Sequence, residues 1–263
     1  MSFRMQLPQI DLIAFDADDT LWHNEGIFYA THDRFKELLS KYHDEEWISQ
    51  RLYETEARNI LHFGYGVKGF TLSMVETAIQ LSEGRISATE IQSLIEIGKE
   101  MMNAPVELLD GVRETIETLS ESFELMLITK GDLFHQEAKL ARSGLGNFFS
   151  RIEIVSEKTP GVYERILSRH QLNPRQFVMI GNSLKSDILP VVTLGGIAVH
   201  IPYKTEWIHE RVQADELEGK EYVELKHISL LPEWVSENLS QGQSEERNFF
   251  NTEDTEVAQR RTE

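Results

Sequence analysis

Short apolar runs separated by amphipathic segments set the rhythm of the chain. The opening stretch, Ile10–Leu21, is an apolar run that ends abruptly in three carboxylates and a hydroxyl. Further apolar runs follow at Phe123–Thr129, Arg151–Ser156, Gln176–Gly181 and Gly196–Pro202. Between them, Val112–Ser120, His135–Ser143, Tyr163–His170 and Lys185–Leu194 carry apolar residues at helical spacing. Alternating strands and helices predict an α/β fold built on a doubly wound parallel sheet.

One stretch breaks the rhythm. From about Phe28 to Asn103 the pattern is helical only, over His32–Lys41, Glu45–Phe63, Glu76–Leu81 and Thr89–Met102. Gly64-Tyr65-Gly66 and Ser82-Glu83-Gly84 interrupt it. The expected organisation is an α/β core formed by residues 1–24 and 104–239, with a small helical domain inserted over residues 25–103. Residues 240–263 are acidic with few apolar residues, Phe249-Phe250 being the only aromatic pair, and read as a flexible tail.

Composition narrows the function classes. Hydrophobic residues make up 40% and charged residues 27%, an ordinary globular balance. No apolar run approaches the roughly 20 residues that span a bilayer, and the first residues lack a signal-like apolar core. A cytoplasmic protein without a membrane partner is expected. With no cysteine, thiolate metal sites and thiol nucleophiles are excluded. The net charge of -18 repels nucleic-acid backbone, and would repel a small phosphate too unless local cations offset it.

The acids of the opening stretch carry the candidate chemistry. Asp16 and Asp18 follow a buried strand at the end where open α/β sheets place ligands. Being two apart, they share a face if the strand stays regular. Like charges that close resist ionising together without a cation or a shared proton, and hard oxygen ligands favour magnesium. Ile128-Thr129-Lys130-Gly131-Asp132 offers a hydroxyl, backbone amides and a tight turn suited to an oxyanion. Lys158 precedes a Pro-started helix, and Gly181-Asn182-Ser183-Leu184-Lys185-Ser186-Asp187 would turn Asn182 and Asp187 toward the same sheet end.

Each of these motifs is weak alone, but all fall at or near strand ends and in one order. In that order the sequence resembles the haloacid dehalogenase-like hydrolase superfamily over about residues 10–202. Asp16-x-Asp18-x-Thr20 matches its first motif, Thr129 its second and Lys158 its third. The fourth matches in form, with Asn182 where the first acid is usual. The resemblance implies a Rossmann-like core and a helical cap inserted between motifs one and two.

It also implies roles. Asp16 would be the nucleophile that forms an aspartyl-phosphate. Asp18 would protonate the leaving oxygen and then deprotonate water, a task that crowding by neighbouring carboxylates would assist. Thr129 and Lys158 would bind the phosphoryl oxygens. Mg2+ would be held by the Asp16 side chain, the Asp18 carbonyl and Asn182 or Asp187. Dehalogenases of this family lack an acid at the position of Asp18, so phosphoryl chemistry is preferred over carbon–halogen cleavage. The implied partner is a small phosphorylated metabolite, and the chain is a monomer or homodimer. His23 and Lys130 are candidate substrate contacts, while Arg58, His62 and Lys68 in the cap more simply read as solvated. A phosphotransferase or phosphomutase, or a non-catalytic binding protein on this fold, are the alternatives.

Overall fold

The computed structural model describes residues 9–205 and 210–241. Strands β1 (Gln9–Ile10) and β2 (Leu12–Phe15) come first. Helices α1 (Glu25–Leu39), α2 (Glu45–Phe63), α3 (Val67–Leu81) and α4 (Ala88–Asn103) follow. Then come α5 (Val112–Ser120), β3 (Glu124–Lys130), α6 (Leu133–Ser143), β4 (Arg151–Val155), α7 (Pro160–Arg169) and β5 (Phe177–Gly181). The chain continues with α8 (Leu189–Thr193), β6 (Ile197–His200), β7 (Val223–Glu224), α9 (Leu231–Asn238) and β8 (Ser240–Gln241).

Six strands form one parallel sheet in the order β4-β3-β2-β5-β6-β7. β2 is central and fully buried. Ile13 and Phe15 point into one apolar cluster, with Leu125, Leu127, Val178 and Ile180, while Leu12 and Ala14 point into the opposite one, with Met126, Ile128, Phe177 and Met179. A strand buried on both faces is why the sequence there is continuously apolar. From β2 the chain moves to β3 and β4 on one side, then returns to β5 on the other. The carboxyl ends of β2 and β5 therefore flank the point where the winding reverses, which is where such sheets open a crevice.

Helices α1–α4 pack around their own cluster, with Phe35, Leu39, Ile48, Leu52, Phe70, Met74 and Leu94 inside. Each such side chain contributes about 1.5–3 kcal/mol by leaving water. The helices are punctuated by local chemistry: Asp44 accepts from the amide of Trp47, and Ser87 and Glu90 form a reciprocal capping box. Gly69 sits where a Cβ would come within 2.8 Å of the Gly64 carbonyl, so α3 can close on the end of α2 only without a side chain there.

Four expectations are corrected. α1 and α3 start earlier than the apolar spacing indicates, at Glu25 and Val67, because polar residues and Gly69 fill their first turns. A sixth sheet strand, β7, is two residues long and too short to leave a periodic signal. The segment expected as one helix from Lys185 is a wide π-turn, Leu184–Ile188, followed by α8. Pro190 cannot donate to the carbonyl of Ser186, four residues back, and the hydroxyl of Tyr163 donates to it instead at 3.1 Å. Ser240 and Gln241, read as tail, pair with Gln9 and Ile10. Residues 242–263 with Phe249-Phe250 lie outside the described residues. Among the described residues no helix is long and apolar enough to cross a membrane.

Candidate active site

The ladder of β2 runs on to the amide of Asp16, which donates to the Ile180 carbonyl at 2.8 Å and so fixes that residue at the crevice. Its carboxylate is held from two sides: Thr20 Oγ1 donates to Oδ2 at 3.0 Å, and Lys158 Nζ lies 2.5 Å from Oδ1. Lys158 also reaches Asp187 Oδ1 at 2.6 Å and is 2% exposed, so one buried ammonium bridges two buried carboxylates. Burial opposes that ammonium, but Asp16 and Asp187 raise its pKa well above the ordinary value. Burial, partly offset by Lys158, lifts Asp16 to about 7 and raises Asp187 as well. Gly181 makes room: a Cβ there would meet Asp187 Oδ2 at 2.2 Å.

Asp18 stands in a different setting. Trp22 Nε1 donates to its Oδ1 at 2.6 Å, Gln136 Nε2 to its Oδ2 at 3.0 Å, and Lys139 forms an ion pair with it. Burial pushes its pKa up, but Lys139 and these hydrogen bonds outweigh it and hold the carboxyl below its ordinary range. The expectation that crowding helps Asp18 carry a proton is therefore corrected: a neighbouring cation, not its carboxylate neighbours, decides its charge. Asp19, in the left-handed region at φ 60°, accepts from the amides of Asn24 and Glu25 at 2.9 and 3.1 Å and starts α1.

Thr129, buried one residue before the end of β3, has Oγ1 accepting from Gln136 Nε2 at 2.9 Å. Asp16, Asp18, Thr129, Lys158, Asn182 and Asp187 all line one cavity of about 160 Å3 between the sheet end and helices α1–α3. Lys130 lines it too, but its ammonium pairs with Glu210, lies 3.6 Å from Glu157 and sits 4.0 Å from the Tyr65 ring centre. That commitment corrects its expected place as a cation spare for substrate.

His23 is also corrected. It bonds Tyr203 Oη at 2.7 Å and faces a separate small cleft. Arg58 and His62 are exposed outside the cavity wall. Lys68 bonds Asp132 Oδ2 at 2.9 Å, and Tyr65 donates to Glu157 at 2.7 Å, so both tie the helical insertion to the core.

Asn182 lies across the mouth of β5. One end of its amide is 3.1 Å from Thr20 Oγ1, 3.3 Å from Asp16 Oδ2 and 3.2 Å from the carbonyl oxygen of Asp18. With nitrogen at that end it donates to these atoms. Turned over, its oxygen joins the carboxylate and the carbonyl as three hard donors on one side, a set suited to magnesium. Asp187, engaged by Lys158 and by the amide of Ser183 at 3.0 Å, stands behind them. Among the described residues no three acidic or imidazole side chains form a metal cluster, so a cation here depends on the amide and the main-chain carbonyl.

Sequence reasoning missed Gln136 and Lys139. Both lie on the buried face of α6, while Leu133 and Phe134 of the same helix are exposed. Polar residues in core positions of an otherwise inverted helix were the available signal. Glu210, Glu25 and Glu56 also line the cavity without any motif to mark them.

The family described as haloacid dehalogenase-like hydrolase matches residues 10–191. A crystal structure of a haloacid dehalogenase-like family hydrolase from Xanthomonas campestris is 43% identical with a TM-score of 0.77, covering 88% of this chain and 94% of that one. A 2-haloacid dehalogenase from Pseudomonas syringae pv. tomato DC3000 superposes with a TM-score of 0.59 at 20% identity, covering 87% of this chain and 99% of that one, and shows likeness of fold alone. A glyceraldehyde 3-phosphate phosphatase from Pyrococcus furiosus is 29% identical over 121 residues, 43% of this chain. The match spans about half of that relative's length, 48%.

Proposed function

Given that the chain belongs to the haloacid dehalogenase-like hydrolase family, we propose that it is a phosphatase that hydrolyses a small phosphomonoester with magnesium, through an aspartyl-phosphate on Asp16. The observation that carries this reading is the meeting of Asp16, Asp18, Thr129 and Lys158 around one cavity at the switch point of the sheet. The phosphatase relative and the acid at position 18 favour phosphoryl chemistry over the dehalogenation named for the Pseudomonas neighbour.

Asp16 attacks phosphorus with the oxygen that Thr20 and Lys158 leave oriented. Lys158 and Thr129 hold phosphoryl oxygens, Lys158 offsetting charge on both the ester and the nucleophile. The ester's second ionisation lies near pH 6, so a fraction of it arrives protonated and can supply the proton that Asp18 passes to the leaving oxygen. Asp18, ionised again beside Lys139, then takes a proton from the water that cleaves the acyl-phosphate. That second half uses the state its surroundings favour. Asp16, the Asp18 carbonyl and Asn182 would hold magnesium, which when bound offsets phosphoryl charge.

Phosphate release from p-nitrophenyl phosphate in magnesium tests the reading. Asp16→Asn removes the nucleophile, and activity should fall by several orders of magnitude. Undiminished turnover in that variant overturns it.

A further inference from the structure

The cavity wall holds more acid than its chemistry uses. The three lysines among its described wall residues are committed: Lys158 to Asp16 and Asp187, Lys139 to Asp18, and Lys130 to Glu210 and Glu157. Asp19 is satisfied by the amides that start α1, and Asp132 by Lys68 and the amide of His135. Two carboxylates are left over. Glu56, in the middle of α2, is 8% exposed and lines the cavity, yet no described side chain or amide bonds it. Glu25, at the start of α1, lines the same cavity, again with no described partner for its carboxylate.

A carboxylate that is nine-tenths buried without a partner is costly to the fold. Its retention at a ligand cavity needs a reason, and a cationic ligand supplies one. The two acids stand on the cap side, where Phe28, Ile60 and Phe70 complete the wall. Glu25 stands nearer the acids of the β2 loop, while Glu56 lies deeper in the insertion on α2. The rings of Phe28 and Phe70 also favour a cation over their faces. Burial with the charge of Glu25 lifts Glu56 to about 7, and burial with Asp19 and Asp18 does the same to Glu25, as expected of acids awaiting a counter-charge. His135 offers no compensating positive charge: burial and Lys139 push it down to about 4.

We propose that the cavity selects a phosphomonoester whose leaving alcohol carries a protonated amine, held by Glu25 and Glu56 while the phosphoryl group lies against Asp16. A leaving group bearing a carboxylate would face two like charges with no uncommitted cation among the described wall residues, and is rejected. This inference rests on the phosphatase reading and names the substrate class of the same site.

Three esters of similar size test it: 2-aminoethyl phosphate, n-propyl phosphate and phosphoglycolate, each assayed with magnesium for kcat/KM. The expected order is amine over alkyl over carboxylate, with steps of about tenfold or more. Glu56→Gln and Glu25→Gln, both near-isosteric, should compress the ratio of amine to alkyl ester, chiefly through KM. Equal rates, a reversed order, or an unchanged ratio in both variants overturn the amine preference and leave the phosphatase reading standing. Release of phosphate from none of the three, nor from p-nitrophenyl phosphate, overturns the phosphatase reading itself and this inference with it.

Discussion

Lys139, on the buried face of α6, is ion-paired with Asp18, the acid two residues beyond Asp16. The pairing is enclosed: the lysine side chain is 8% exposed, and Trp22 and Gln136 donate to the same carboxylate. Asp18 is thereby held in its charged state chiefly by a helix that follows β3, with Trp22 of its own loop helping to fix its position.

Replacing Lys139 by Met should therefore lower turnover by about 10- to 100-fold, at or below the bottom of the range for loss of an acid–base group, because Asp18 itself remains. The loss should be larger for an alkyl phosphate than for p-nitrophenyl phosphate. An alkoxide needs a proton to leave, whereas nitrophenolate hardly does. Steady-state kinetics on the two esters check this, and equal losses would assign Lys139 to packing.

The arrangement around Asn182 separates its role from that of Asp187. Asn182→Ala removes an oxygen that can face a cation beside Asp16 and the Asp18 carbonyl. The magnesium concentration for half-maximal activity should rise about 10- to 100-fold. Asp187→Asn, by contrast, leaves the three donors in place and loosens Lys158, so its main effect should fall on kcat. Magnesium titrations of both variants distinguish them.

Glu56 makes a prediction about stability. Its pKa is raised from 4.5 to about 7, by burial first and then by Glu25. A carboxyl whose folded pKa exceeds its unfolded value contributes its stability fully below the unfolded value, and loses it as pH rises through about 7. Glu56→Gln should raise Tm at pH 8, by about 2–4 °C for each kcal/mol relieved, and change it little near pH 4.5. Thermal denaturation without ligand at the two pH values checks the sign.

The sequence carried the frame of this site more clearly than its interior. β2 is legible because both faces are buried, which leaves no polar residue between Leu12 and Phe15. Asp16 and Lys158 are legible because charged residues follow apolar strands, and Thr129 because its strand runs into Lys130-Gly131-Asp132. Lys139 and Gln136 are less so, because their only mark is that they take the buried face of a helix whose Leu133 and Phe134 are left exposed. Glu56 looks like any surface acid among its neighbours on α2. Lys130 illustrates the opposite error, since its partner Glu210 is 80 residues away and no spacing joins them. The π-turn before α8 was hidden as well, since it depends on Pro190 and on Tyr163 of another helix.

The most direct test of the account is to trap the intermediate on Asp16. Turnover of a phosphomonoester in magnesium is quenched, reduced with borohydride and digested, and the peptide containing Asp16 is sequenced by mass spectrometry. An aspartyl-phosphate is reduced to homoserine, so homoserine at position 16, dependent on substrate and absent in Asp16→Asn, is the result predicted. Phosphate release at full rate with Asp16 unmodified, or with the label on another residue, would contradict it.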